Sequence, residues 1–191
     1  MAKTSKSGKT AGEKAAKKKA APKARAVTRY LIALGGNRYR KGPPQRMIGR
    51  AIKALKKAGV EVNARSPVIA TDPLGPGTRR YANAAIRAKS DLSPPELLTL
   101  CKTVEHKLGR RSGRRWGDRV IDLDLILWSG GCWSGEALTL PHPEFRRRSF
   151  VLDPLAAIAP RWRDPVTGLT VRHLRHRLRR NIPVDRRGNH P

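Results

Sequence analysis

The chain has 191 residues, with 42 Lys or Arg against 14 Asp or Glu and a formal charge of +28. No stretch approaches the roughly 18–20 apolar residues of a membrane-crossing helix, and no N-terminal apolar segment marks a secretory signal. Two cysteines, Cys101 and Cys132, in no metal-ligand spacing exclude a disulfide scaffold and point to a reducing cytoplasm.

Residues 1–29 carry ten Lys or Arg, a single acid (Glu13) and no aromatic. Such a segment buries too little apolar surface to offset chain entropy, so residues 1–28 read as a disordered Lys/Ala-rich tail. It reads either as a solubilising tail or as a nonspecific anchor on a polyanion such as nucleic acid. A mitochondrial presequence fits less well, because the segment is Lys-rich and has no apolar stripe. The remaining chain reads as one domain over 29–168 and an Arg-rich C-terminal extension over 169–191. In the extension, Leu174 and Leu178 stand four apart and suggest a short helix with a solvated basic face, or alternatively a phosphate or RNA contact.

Within the domain, Tyr30-Leu31-Ile32-Ala33-Leu34 reads as a buried strand that stops at Gly35-Gly36-Asn37. Pro43-Pro44 opens a helix whose apolar face is Met47, Ile48, Ala51, Ile52 and Leu55, and Gly59 ends it. Val60 to Ala70 is strand-like, with a kink or edge at Pro67. Thr71-Asp72-Pro73-Leu74-Gly75-Pro76-Gly77 is a turn-rich loop, and Tyr81 to Lys89 reads as a strand. Ser93-Pro94-Pro95-Glu96 is a capping-box pattern; the helix it opens carries Leu97, Leu100, Cys101, Val104 and Leu108 on one face and closes at Gly109. Val120 to Trp128 is the last strand. The order βαββαβ predicts an α+β, ferredoxin-like sandwich, with helices on one side of a mainly antiparallel sheet.

The chemistry concentrates at that last strand. Alternation sends Ile121, Leu123, Leu125 and Leu127 to one face and Asp122 and Asp124 to the other, about 7 Å apart by strand rise. Two carboxylates on an apolar strand need positive charge, and hard oxygen ligands suit Mg²⁺ together with substrate phosphates. An Asp-x-Asp pair by itself fits a salt bridge to Arg equally well. Ahead of it, however, five arginines lie between Arg110 and Arg119, in a loop punctuated by Gly and Ser and carrying Trp116. Guanidinium forks match phosphate oxygens and an indole offers a flat face, so the combination suits phosphoryl-type transfer. There is no Gly-x-x-x-x-Gly-Lys-Ser/Thr loop and no Ser-His-Asp arrangement. His142, in Leu140-Pro141-His142-Pro143, reads by itself as structural.

At these residues the chain resembles the 6-hydroxymethyl-7,8-dihydropterin pyrophosphokinases of the folate pathway. The similarity runs from about Tyr30 to Pro160. It is carried by Leu34-Gly35-Gly36-Asn37, Thr71-Asp72-Pro73-Leu74-Gly75-Pro76, Tyr81-Ala82-Asn83-Ala84-Ala85, Leu140-Pro141-His142-Pro143 and Arg148-Ser149-Phe150-Val151-Leu152. The most specific stretch, Arg115-Trp116-Gly117-Asp118-Arg119-Val120-Ile121-Asp122-Leu123-Asp124, resembles the signature Arg-Trp-Gly-Pro-Arg-x-x-Asp-x-Asp.

The resemblance implies transfer of pyrophosphate from ATP to the pterin hydroxymethyl oxygen, leaving AMP. It implies that Asp122 and Asp124 hold two Mg²⁺ and that Arg110 and Arg119 neutralise charge on the transferred group. Lys102, Glu105, Arg115, Trp116, His142 and Arg148 would line the ATP site. Thr71, the Leu74 backbone and Asn83 would bond the pterin edge, with Tyr81 and Phe150 sandwiching its ring. The arginine loop is expected to close on ATP.

Gly36 stands where the family usually has Ser and is expected to matter little. Asp118 replaces a Pro, which loosens the loop. Ala137 falls where some members place a basic nucleotide contact, and Arg111 and Arg114 receive no role. A monomer is expected. The rival reading is a basic nucleic-acid-binding protein on a ferredoxin-like scaffold, and a third is a folate enzyme tethered to a polyanion by its tails.

Overall fold

A computed structural model describes residues 26–40, 42–73, 78–110 and 119–180. The expected order is present as β1 (Thr28–Gly36), α1 (Pro44–Lys57), β2 (Glu61–Arg65), β3 (Ile69–Thr71), β4 (Tyr81–Ser90), α2 (Pro94–Lys107) and β5 (Asp122–Trp128). The strands pair antiparallel in the order β2-β4-β1-β5, and β3 joins β4 beside β2.

Local chemistry accounts for the boundaries. α1 begins on two prolines and ends at Gly59, whose φ of +90° lies in the left-handed region. Glu96 reaches back to the Ser93 N–H (2.9 Å) to open α2. β1 does not stop before the glycines: Gly35 and Gly36 are paired on both sides or closely approached, and the strand runs through them. The strand expected over 60–70 divides at Ser66-Pro67-Val68, because Pro67 has no N–H to give the ladder. Ser66 repairs the gap. Its N–H donates to the Ala85 carbonyl and its hydroxyl accepts the Ala85 N–H, both at 2.9 Å.

Alternation gives the sheet two unlike faces. Ile32, Leu34, Ile86, Leu123 and Leu125 pack against α1 and α2. Leu31, Ala85, Ile126 and Leu127 pack instead against α3 (Ser149–Ile158) and α4 (Val171–Arg179). The expectation of helices on one side only is therefore corrected. Leu127 also departs from expectation. Leu31 pairs with Leu127 but Ile32 with Leu125, so Ile126 is an extra residue that rotates Leu127 to the α3–α4 face. A small hairpin, β6 (Trp133–Gly135) and β7 (Leu138–Leu140), and a 3₁₀ turn at Phe145–Arg147 connect β5 to α3. Val171 and Leu174 of α4 are fully buried in the second core, so this part of the Arg-rich stretch belongs to the folded body.

The α3–α4 layer covers one end of its sheet face. Gly35, Asn83, Asp122 and Asp124 share the other end of that face, outside both apolar clusters. Among the described residues no helix is long and apolar enough to cross a membrane.

The segment beyond α3 is fastened by Asp164, which is fully buried. It accepts two N–H bonds from Arg146 (2.7 and 2.8 Å), the Thr167 hydroxyl (2.6 Å) and the Val166 N–H (3.2 Å). Burial opposes ionisation, but these donors hold its carboxyl below the usual range. Removing one partner of a buried pair costs about 3–5 kcal/mol. Asp164→Asn is thus expected to lower urea stability by about 3 kcal/mol at pH 7. A depressed folded pKa stabilises fully above the unfolded value, about 3.9, and is lost as pH falls through the folded value. The gap between wild type and variant should accordingly be constant above about pH 5 and close below about pH 4; an unchanged gap at pH 3 contradicts the assignment.

Candidate active site

The open end of the sheet face is built on one cross-strand row. Asp122 pairs with Gly35, and Gly35 with Asn83. Directly paired residues share a face, so the carboxylate and the amide stand on the same side, about two strand spacings or 10 Å apart. Glycine leaves room between them, because a Cβ at Gly35 would lie 2.8 Å from Asn83 Oδ1 and would push the amide aside. One row further along, Asp124 pairs with Ala33.

Asp122 is held by cations from three places. Arg110, just after α2, and Arg119, just before β5, each bond its carboxylate, and Lys102 of α2 lies 3.8 Å away. Burial works against its charge, yet Arg119, Arg110 and Lys102 together keep the carboxyl below the usual range. The opposite holds for Asp124. Burial first, then the Asp122 charge, pushes its carboxyl up, with His142, Lys102 and Arg119 pulling weakly the other way. His142 is lowered by burial and by Arg148, against the pull of Asp124, so the ring is neutral near pH 7. Its Nδ1 accepts the Glu144 N–H (3.2 Å), which leaves the proton on Nε2.

Glu105 holds this arrangement from beneath. Its side chain is 2% exposed, the most buried carboxylate of the cluster. It bonds Arg110, takes Lys102 Nζ at 2.9 Å, and accepts the Leu123 N–H at 2.7 Å. β5 is an edge strand, so that N–H has no ladder partner, and Glu105 supplies one. Burial pushes its carboxyl up, while Lys102 and the Leu123 N–H oppose the shift. Asn37 does similar work above: its Oδ1 accepts the Arg119 N–H (2.8 Å), and the N–H groups of Asn37 and Arg38 donate to the Arg119 carbonyl (2.9 and 3.1 Å). Arg119 thereby leaves the end of β1 from a fixed backbone position.

The structure thus brings Lys102, Glu105, Arg110, Arg119, Asp122 and Asp124 together, with His142 and Arg148 adjoining. On the β4 side, Asn83 is buried and its Nδ2 donates to Thr71 Oγ1 (2.8 Å). Tyr81 pairs with Thr71 and shares the Asn83 face. Phe150 stands at the start of α3, which packs on β4, and the Arg148 guanidinium carbon lies 5.9 Å from its ring centre. Leu74, Arg115 and Trp116 lie outside the described residues. Sequence reasoning gave no role to Asn37, although its place after two glycines was the available signal. It also read Glu105 as a nucleotide contact alone.

The donor set fits a hard divalent cation. Two carboxylates two residues apart share an open face, and one of them carries charge that its surroundings do not fully compensate.

A profile of the 7,8-dihydro-6-hydroxymethylpterin-pyrophosphokinase family matches residues 31–160. A 2-amino-4-hydroxy-6-hydroxymethyldihydropteridine pyrophosphokinase from Synechocystis is 40% identical over 142 residues, covering 74% of this chain and 71% of the relative. The protein of the same name from Methylorubrum extorquens is 41% identical over 136 residues, covering 70% and 84%. Among solved structures, wild-type HPPK-DHPS of Plasmodium falciparum superposes with a TM-score of 0.64 at 12% identity. That match covers 86% of this chain but 44% of the solved one, and it establishes the fold alone.

Gly36 matters more than its sequence context suggests. A Cβ there would lie 2.6 Å from the Val120 carbonyl oxygen. Gly36→Ser is therefore expected to displace the Arg119–Val120 backbone and to cost about 1–3 kcal/mol of stability in chemical denaturation. A neutral result contradicts the close approach.

Proposed function

The chain belongs to the 7,8-dihydro-6-hydroxymethylpterin-pyrophosphokinase family, and from that premise we propose how its own residues divide the work. The reaction transfers pyrophosphate from ATP to 6-hydroxymethyl-7,8-dihydropterin, yielding the pterin diphosphate and AMP in folate biosynthesis. The observation that carries the assignment of roles is the row Asp122–Gly35–Asn83. It sets an acidic cluster and a buried amide on one open face, about the length of a pterin and its hydroxymethyl arm apart.

Asn83 recognises the pterin edge, since an amide offers both donor and acceptor to a ring system that carries both. Thr71 orients that amide through its 2.8 Å bond, and the Leu74 backbone adds a further polar contact. Tyr81 and Phe150 supply the flat walls of the slot. At the other end of the row, Asp122 and Asp124 would hold Mg²⁺, in the count of two that the family resemblance implies. When bound there, the ions would draw charge from the phosphates and polarise them toward attack.

Arg110 and Arg119 act on the transferred group. A guanidinium has five N–H donors, more than one carboxylate takes, so each can keep Asp122 and still bond a phosphate oxygen. Lys102, Arg115, Trp116 and Arg148 complete the ATP site, and neutral His142 donates from Nε2. Glu105 serves it by fixing Arg110 and Lys102. The transferred group is strongly anionic, so positioning and charge stabilisation are the main tasks. Membership of this enzyme family favours the present reading over the nucleic-acid one. Cys101 and Cys132 are both free thiols, which supports a cytoplasmic setting, and the same reading takes the enzyme as a monomer.

With ATP and the pterin alcohol, Asp122→Ala and Asp124→Ala are each expected to lower AMP release at least about a hundredfold, equivalent to about 3 kcal/mol of barrier. Chelation of divalent cations should abolish the reaction and added Mg²⁺ restore it. Wild-type rates in either variant contradict the metal assignment. Asn83→Ala should instead weaken pterin binding by about 1–3 kcal/mol, read as a raised KM for the pterin with the KM for ATP unchanged.

A further inference from the structure

A second group of aromatic and acidic residues stands at the opposite end of β1. By strand rise, Tyr30 is about 17 Å from Gly35. An open pocket of ≈ 440 Å³ lies there, with walls that include Tyr30, Trp128, Trp133, Leu92, Asp91 and Glu96. In a chain of charge +28 its lining holds two acids and neither Lys nor Arg.

The polar atoms of the aromatic walls are already bonded. The Tyr30 hydroxyl donates to the Leu92 carbonyl (2.6 Å), and Trp128 Nε1 donates to Thr28 Oγ1 (3.1 Å). Tyr30 is itself fully buried and Glu96 caps α2, so the pocket still offers the partly exposed indoles of Trp128 and Trp133 and the exposed carboxylate of Asp91. Trp128 stacks on Tyr30 with centres 6.5 Å apart and meets Trp133 nearly edge-on at 6.0 Å and 78°. Indole surface beside a carboxylate suits an ammonium or guanidinium group, whose attraction to an indole face grows as water is excluded.

The same lining identifies the occupant. Ala26 and Thr28 belong to it. The chain that ends at Ala26 from the N-terminal side, residues 1–25, carries nine Lys or Arg and one acid. A segment tethered at the pocket rim meets it at an effective concentration on the order of millimolar, so a weak contact suffices. We propose that this pocket docks the chain's own basic segment, residues 1–25, by laying a Lys or Arg side chain against the exposed indole surface of Trp128 and Trp133 beside Asp91. Docking keeps a string of cations at the far end of the sheet, where it does not compete with Arg110 and Arg119 for ATP phosphates.

Cys132 gives a direct test, because it is exposed and adjoins Trp133 while Cys101 is buried. A nitroxide on Cys132 of the full chain is expected to broaden the amide signals of residues 1–25 in dilute, low-salt solution. The broadening should be lost in Asp91→Asn and in high salt, with pyrophosphokinase activity of Asp91→Asn unchanged. Full-intensity signals from the whole segment overturn the proposal. So does broadening that grows with protein concentration, which assigns the pocket to a second copy's segment. Broadening that survives Asp91→Asn and high salt, or that arises only after a nucleic-acid oligomer is added, overturns it as well.

Discussion

Two carboxylates on alternate residues of an edge strand repel each other and resist burial, and most of what surrounds β5 answers that problem. Arg110, Arg119 and Lys102 compensate Asp122, while Asp124 is left with its carboxyl pushed up by burial and by its neighbour. Glu105 makes the arrangement durable. From inside the helical layer it fixes two of those cations and also satisfies the Leu123 N–H that the edge would otherwise leave unpaired. One buried side chain thus ties the electrostatics of the site to the backbone of the sheet. Compensation at Asp124 is incomplete, so this carboxylate is the one whose charge its own surroundings oppose.

The sheet topology decides where this can happen. α1 and α2 seal one face along its length, and α3 and α4 seal the other only at the end where Leu31, Ala85 and Leu127 lie. The bulge at Ile126 makes both arrangements possible on one strand. Before it, β5 turns its aspartates to the open face; after it, Leu127 joins the α3–α4 core on that same side. The glycines of β1 complete the design, since Gly35 leaves room for Asn83, and Gly36 lets the Val120 carbonyl approach.

Much of the fold was legible in the sequence because the first 130 residues obey local rules. Prolines and glycines mark the limits of α1 and α2, and alternation marks β5. Three features were not legible, each for a physical reason. The bulge depends on pairing between β1 and β5, which no single strand announces. α3 contains Pro154 in its interior, a residue that local rules read as a breaker, and it forms because its apolar face covers the sheet. α4 reads as a short helix with a solvated basic face, and the burial of Val171 and Leu174 was not legible because their core is made by distant residues. In the site, the charged residues and the Thr71–Asn83 pair were visible as motifs. The reach of Glu105 to a β5 amide and the grip of Asn37 on Arg119 link residues far apart in the chain, and appeared only in three dimensions.

The charge of the chain is uneven: 42 Lys or Arg stand against 14 Asp or Glu, and three of those acids, Glu105, Asp122 and Asp124, gather where β5 meets α2. The account stands on the acidic pair of β5, and the measurement closest to it is anomalous diffraction at the manganese edge from a crystal holding Mn²⁺, a nonhydrolysable ATP analogue and the pterin. The account predicts metal peaks about 2.1–2.3 Å from carboxylate oxygens of Asp122 and Asp124, bridging to the nucleotide phosphates. Peaks bound to phosphates alone, with both aspartates still turned to Arg110, Arg119 and His142, would contradict it.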